Sequence, residues 1–154
     1  IYCCDRNKEP KGLLTGIFFA GMGTVISAVI LEAIGMKILE KSVYDDVLYA
    51  ILLSFLIVGP AEELGKYIVM RAITWRNRHF DNLFDGIVYA VFSSLGFATL
   101  ENIAYVLSNG VMTGVVRMFS SVPGHACFGV FMGFFYSKAK HASVTGKKGK
   151  TLLL

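Results

Sequence analysis

Charge in this sequence is confined to short clusters, and between them run four stretches apolar enough to cross a lipid bilayer. A helix needs about 20 predominantly apolar residues to span the hydrocarbon core. Leu13 to Leu31 carries no charge. Val47 to Met70 is interrupted only by Glu62, Glu63 and Lys66, and Gly86 to Leu107 only by Glu101. Met118 to Ser137 holds His125 and no formal charge. Composition agrees: 55% of residues are hydrophobic and 17% charged, where a soluble domain carries roughly 45–50% and about a quarter. The pattern excludes a water-soluble globular fold. It predicts an all-α, polytopic transmembrane helix bundle with spans over 13–32, 47–70, 86–107 and 118–138.

Four crossings place the connections at 1–12, 71–85 and 138–150 on one side and those at 36–46 and 108–117 on the other. The first side holds eleven Lys and Arg residues; the second holds Lys37, Lys41 and Arg117. By the positive-inside rule the basic side is cytoplasmic, so residues 1–12, 71–85 and 138–154 are expected there. The net charge of +4 is therefore read as matching lipid headgroups, and no nucleic-acid partner is expected. Cys3 and Cys4 are adjacent and Cys127 lies within an apolar run, so the cysteines form no spaced disulfide framework.

A charge at the bilayer centre costs about 2.5–3.5 kcal/mol on insertion scales, and ionisable groups there mark function by default. In Glu62-Glu63-Leu64-Gly65-Lys66 the i,i+4 and i,i+3 spacings bring Lys66 onto the face of both carboxylates. Two adjacent carboxyls can divide the work of general base and general acid or ligand. The bland alternative is a helix-end salt bridge with Lys66 snorkelling to the interface, but Glu62 lies roughly 13 Å inside the boundary at Arg71. Glu101 has no cation within a turn of its own span, and shares a face with Phe97 and Ser93. A lone His in an apolar helix is more often a packing residue than a ligand. His125, however, falls at a depth comparable to Glu101, and Gly129 and Gly133 on its face allow a neighbouring helix to come close. Cys127 projects to nearly the opposite side from His125, which argues against a Cys-His pair. HExxH, Ser-x-x-Lys and phosphate-binding motifs are missing from any usable context.

These residues, in this order, resemble those of the PrsW intramembrane proteases, which are distantly similar to the CAAX-processing and bacteriocin-immunity membrane proteases. The matching motifs are Glu62-Glu63-x-x-Lys66, Asp85-Gly86-Ile87-Val88-Tyr89, Gly96-Phe97-Ala98-Thr99-Leu100-Glu101-Asn102, and His125-Ala126 with Gly129-x-x-x-Gly133-Phe134. The segment from Asp5 to Pro10 also fits. The resemblance implies hydrolysis of a peptide bond within the membrane, typically site-1 cleavage of a single-span anti-sigma factor in regulated proteolysis. It places the essential Glu pair on Glu62 and Glu63, the second-helix Glu on Glu101 and the His on His125. Family members carry a further span before the Asp5-like segment, and a later one bearing a His-Gly-x-x-Asp motif. The chain is accordingly expected to be the middle of a larger bundle.

Both lines of reading converge on water activation. Glu63 or Glu62 is expected to take a proton from a sequestered water, with Glu101 positioning it. His125, with Asn102 as a weaker candidate, would stabilise the oxyanion, and Lys66 would support the site by keeping at least one of the paired glutamates ionised. Metal-dependent and metal-free glutamate chemistry stay open at this point: Zn²⁺ is a possible cofactor, with Glu63, Glu101 and His125 as candidate ligands. The rival class is a proton- or cation-coupled transporter using the same groups, against which stands the lack of a convincing internal repeat. A non-catalytic scaffold would leave Glu62, Glu63 and Glu101 without a purpose.

Overall fold

The computed structural model describes residues 9–144, and every element among them is helical. Cys3, Cys4 and the basic residues Lys147, Lys148 and Lys150 lie outside the described residues, as do residues 1–8 of the expected first connection. Helix α1 runs Lys11–Leu39. Asp45 opens the next helix, its Oδ1 accepting the Leu48 N–H at 2.7 Å, as an N-cap should. The rod that follows is α2 (Asp46–Leu52), a π-helical stretch over Leu53–Val58, and α3 (Gly59–Thr74). Helix α4 (Leu83–Asn109) starts from a capping box formed by Asn82 and Asp85. It ends at Gly110, whose φ of 87° is a conformation that only glycine adopts without strain. Helix α5 (Val111–Phe119) and helix α6 (Ser121–Val144) complete the described chain.

Helix α1, the α2–α3 rod, helix α4 and the α5–α6 segment are each long and apolar enough to cross a membrane. Large apolar side chains such as Phe19, Phe55, Leu107 and Phe131 are exposed, as lipid-facing residues must be. Several helix ends differ from the expected spans, α3 reaching Thr74 and α6 Val144, and two of the differences bear on the site. Helix α1 continues to Leu39, because no proline or capping residue stops it near residue 32, and this carries Glu32 inside the helix. Residues 111–117, expected as connection, are helical, since Gly110 alone provides the turn and the apolar residues beyond it continue as helix α5.

Helix α4 is the central post, packed between α1 and α6. At its crossing with α6, a Cβ on Gly133 would overlap the backbone of Gly86 and Ile87. At its crossing with α1, a Cβ on Gly96 would overlap the Phe18 carbonyl. Small residues replace the hydrophobic drive that lipid cannot supply, by letting backbones touch. At the basic end, Tyr89 donates to Glu9 at 2.6 Å, Thr74 and Tyr136 hydroxyls meet at 2.7 Å, and Lys140 bonds the Trp75 carbonyl. These contacts gather the start of α1, the end of α3, the start of α4 and the end of α6 at one end of the bundle. Helix direction therefore alternates as the charge pattern requires.

Candidate active site

On α3 the helical spacing does what the sequence predicts: Lys66 Nζ lies 2.8 Å from Glu63 Oε1 and 3.5 Å from Glu62 Oε2. The lysine is fully buried, so it does not snorkel, and its ammonium sits 3.9 Å from the centroid of the Phe97 ring on α4. Such a cation–π contact is strongest where water is excluded. Ser93, one turn before Phe97, approaches the Lys66 carbonyl at 3.4 Å. The stripe of Ser93, Phe97 and Glu101 on α4 thus faces the pair on α3.

Helix α6 delivers His125 between them. Its Nδ1 lies 3.0 Å from Lys66 Nζ and 3.6 Å from Glu62 Oε2, and its Nε2 lies 3.0 Å from Glu101 Oε2. An ammonium only donates, so Nδ1 accepts from Lys66. In the neutral ring the proton then belongs on Nε2, which donates to Glu101. One chain of contacts therefore runs from Glu63 through Lys66 and His125 to Glu101 and joins three helices.

The groove beside this chain has a volume of about 520 Å³ and is lined by Phe55, Pro60, Glu62, Glu63, His125 and Phe128, among others. Glu63 is the more open of the pair, with 29% of its side chain exposed against 13% for Glu62. The π-helical stretch forms one wall. There the Gly59 N–H bonds the Ser54 carbonyl, and Pro60, having no N–H, interrupts the ladder just before the pair. π-helical turns are frequent at functional sites.

The expected residues do not all converge. Asn102 turns away, its Nδ2 donating to the Gly114 carbonyl on α5 at 3.4 Å, so it ties two helices together instead of facing the pair. Two charged residues that sequence reasoning left out join the cluster. Arg117 on α5 lies 2.6 Å from Glu101 Oε2. Glu32 on α1 is half-buried and near enough to interact electrostatically with Glu101 and Lys66. In sequence Arg117 falls in an expected connection and Glu32 at the end of an expected span. Only the three-dimensional path of α5 and the added turns of α1 reveal either.

The metal question can be tested on donor chemistry. Glu62, Glu63 and His125 offer two carboxylate oxygens and an imidazole nitrogen, all within 4.8 Å of one another, a set of the type that holds Zn²⁺. Glu62 here takes the place expected for Glu101, whose Oε2 faces His125 and Arg117. The Lys66 ammonium contacts the same three side chains, so a metal and Lys66 compete for them.

Groups that a bilayer tolerates only in company are assembled here on three helices beside a groove. Comparison with known proteins supplies the class. The family model for PrsW family intramembrane metalloproteases matches residues 9–154, and the chain belongs to that family of multi-pass membrane proteases. It is 35% identical over 153 residues to Protease PrsW of Oceanobacillus iheyensis, covering 99% of this chain and 68% of the relative. To Protease PrsW of Bacillus subtilis it is 36% identical over 137 residues, covering 89% and 60% respectively. To Protease PrsW of Clostridioides difficile it is 31% identical over 157 residues, covering 99% and 63%. The chain thus spans 60–68% of the length of these three relatives. No solved structure matches it. The comparisons lend no support to the transporter reading.

Proposed function

We propose that the protein cleaves a peptide bond of a single-span membrane protein inside the bilayer, with the Glu62–Glu63 pair activating water. The observation that carries this reading is that Glu62, Glu63 and His125 line the same groove. A substrate helix hides every backbone amide in its own hydrogen bonds, so the segment must unwind to present its carbonyl there. Glu63, the more open carboxylate, takes the proton of a water as the water oxygen bonds to the carbonyl carbon. His125, across the groove and still held by Glu101, shares its Nε2–H with the developing oxyanion. As the C–N bond breaks, Glu63 returns the proton to the leaving amine. Lys66 is fully buried and acts on the pair: its charge partly offsets that of two adjacent carboxylates. If the family's metal binds, Glu62, Glu63 and His125 would hold it and it would polarise the water or the carbonyl.

The basic end of the bundle faces the cytoplasm in this reading, and the substrate is of the anti-sigma factor class, cut at site 1 of regulated proteolysis. The test is cleavage of a single-span anti-sigma factor in liposomes by the purified full-length protein. Wild type should cut it, while Glu63→Gln and His125→Ala lose at least about a hundredfold in rate, within the range for general acid–base groups. Undiminished cleavage by both variants would remove the proposed site.

A further inference from the structure

Arg117 is held by three contacts at once. Its Nη2 lies 2.6 Å from Glu101 Oε2 and donates to Ser121 Oγ at 3.0 Å, and its guanidinium carbon sits 3.8 Å from the centroid of the Tyr105 ring. The partners come from α4 and from the first residue of α6, so the side chain spans the junction where α5 meets both. Its planar fork suits simultaneous bonding and stacking in a way an ammonium does not. Helix α5 itself is seated by the Gly110 turn and by the Asn102 bond to the Gly114 carbonyl. The carboxylate oxygen that Arg117 holds is the one that receives His125 Nε2.

We propose that Arg117 is a positioning residue of the proteolytic site. By fixing Glu101 from α5, it joins Lys66, which sits on Nδ1, in setting the orientation and tautomer of His125. The geometry gives a reason for the arrangement. Glu101 has no cation on its own helix, and an isolated carboxylate at this depth would turn toward whichever donor came near. With Arg117 on Oε2, the carboxylate presents that oxygen to His125 and holds an acceptor in place for the Nε2 proton that the Lys66 contact at Nδ1 requires. Nδ1 is then left as an acceptor for Lys66, next to the glutamate pair. Helix α5 is thereby part of the site, although it carries no group that lines the groove. The inference rests on the peptidase reading for its effect on rate, and on structure alone for its effect on His125.

Two readouts separate these. With ¹⁵N-imidazole histidine in the full-length protein, His125 should show distinct protonated Nε2 and bare Nδ1 signals, assigned by their loss in His125→Ala. Arg117→Gln should move them measurably toward an averaged pair, Lys66 still holding Nδ1, and Arg117→Lys should move them less. In the cleavage assay, Arg117→Gln should lose about a hundredfold in kcat, the scale of a misplaced reacting group, with KM changed by less than about twofold. Arg117→Lys should recover about a tenth of the lost rate. The double variant Arg117→Gln/Glu101→Gln should be no slower than Glu101→Gln alone, since Arg117 acts through Glu101. Tyr105→Leu removes the stacking face and should show the same changes more weakly; it carries the test if Arg117→Gln does not accumulate. Unchanged His125 signals in Arg117→Gln, or strictly additive effects in the double variant, would overturn the inference. Signals so moved in a protein that cleaves nothing even as wild type would uphold it and refute the protease reading instead.

Discussion

Glu62, Glu63 and Glu101 share one cluster with Lys66, His125 and Arg117, and each is tolerable within the membrane only because of the others. Removing Lys66 leaves Glu62 and Glu63 without their shared cation, and breaking a buried pair in this way typically costs about 3–5 kcal/mol. Lys66→Met should therefore lower thermal stability in detergent, whereas Glu63→Gln, which leaves Glu62 with the lysine, should do so by less. Lys66→Met also frees the three side chains the ammonium contacts. Zinc content after equilibration and desalting should rise above that of wild type if the competition described above is real; an equal or lower content would show that Lys66 does not compete for those donors. Most of this cluster was legible in the sequence because bilayer physics makes a charge in an apolar run conspicuous. Glu62, Glu63, Lys66, Glu101 and His125 all stood out for that reason. Arg117 did not, because a charge between two apolar runs looks like any loop charge until a turn at Gly110 directs it inward. Asn102 follows Glu101 in sequence but lies on a different face of α4, toward Gly114, which adjacency alone does not reveal.

Elements fix where these groups meet. The α4–α6 crossing is set by backbone contact at Gly86 and Gly133, and it determines how far His125 stands from the α3 pair. Gly133→Ala must push the helices apart, with an overpacking penalty of about 1–3 kcal/mol. It should lower both the melting temperature and the rate of cleavage. Gly124→Ala, one residue before His125, has nothing within 4 Å of the added methyl group and should leave melting unchanged. Equal melting of the two variants would show that the crossing is not what holds α6. The pairing of Gly129 with Gly133 was readable as a close-approach face, but its partner was not, because many faces of α1, α3 and α4 offer small residues. The π-helical stretch over Leu53–Val58 was also hidden. Pro60 alone announces a break in the ladder, and a proline is equally compatible with a simple kink.

At the scale of the molecule, alternating charge and alternating helix direction give a multi-pass bundle whose basic end is shared by α1, α3, α4 and α6. Under the orientation proposed above, single cysteines at Arg76 and Lys41 should react from opposite sides with a membrane-impermeant thiol reagent, Lys41→Cys from outside intact cells and Arg76→Cys only after lysis. Labelling of both from outside would reverse the topology. Hydropathy counts and charge bias made the number of spans legible, because lipid imposes length and sign on any sequence. The exact helix ends were not, since α1 continues about two turns beyond its expected end through Glu32 and Lys37, charges that in sequence look like the close of a span.

The claim that joins these scales is that the groove hydrolyses a peptide bond within the substrate's membrane span by activating water. Mass spectrometry of products formed from a single-span substrate in H₂¹⁸O tests it directly. One ¹⁸O is expected in the new carboxyl terminus, with a scissile bond inside the apolar span and loss of both products in Glu63→Gln. Cleavage that maps to the substrate's soluble region, or that proceeds unchanged in Glu63→Gln, would contradict it.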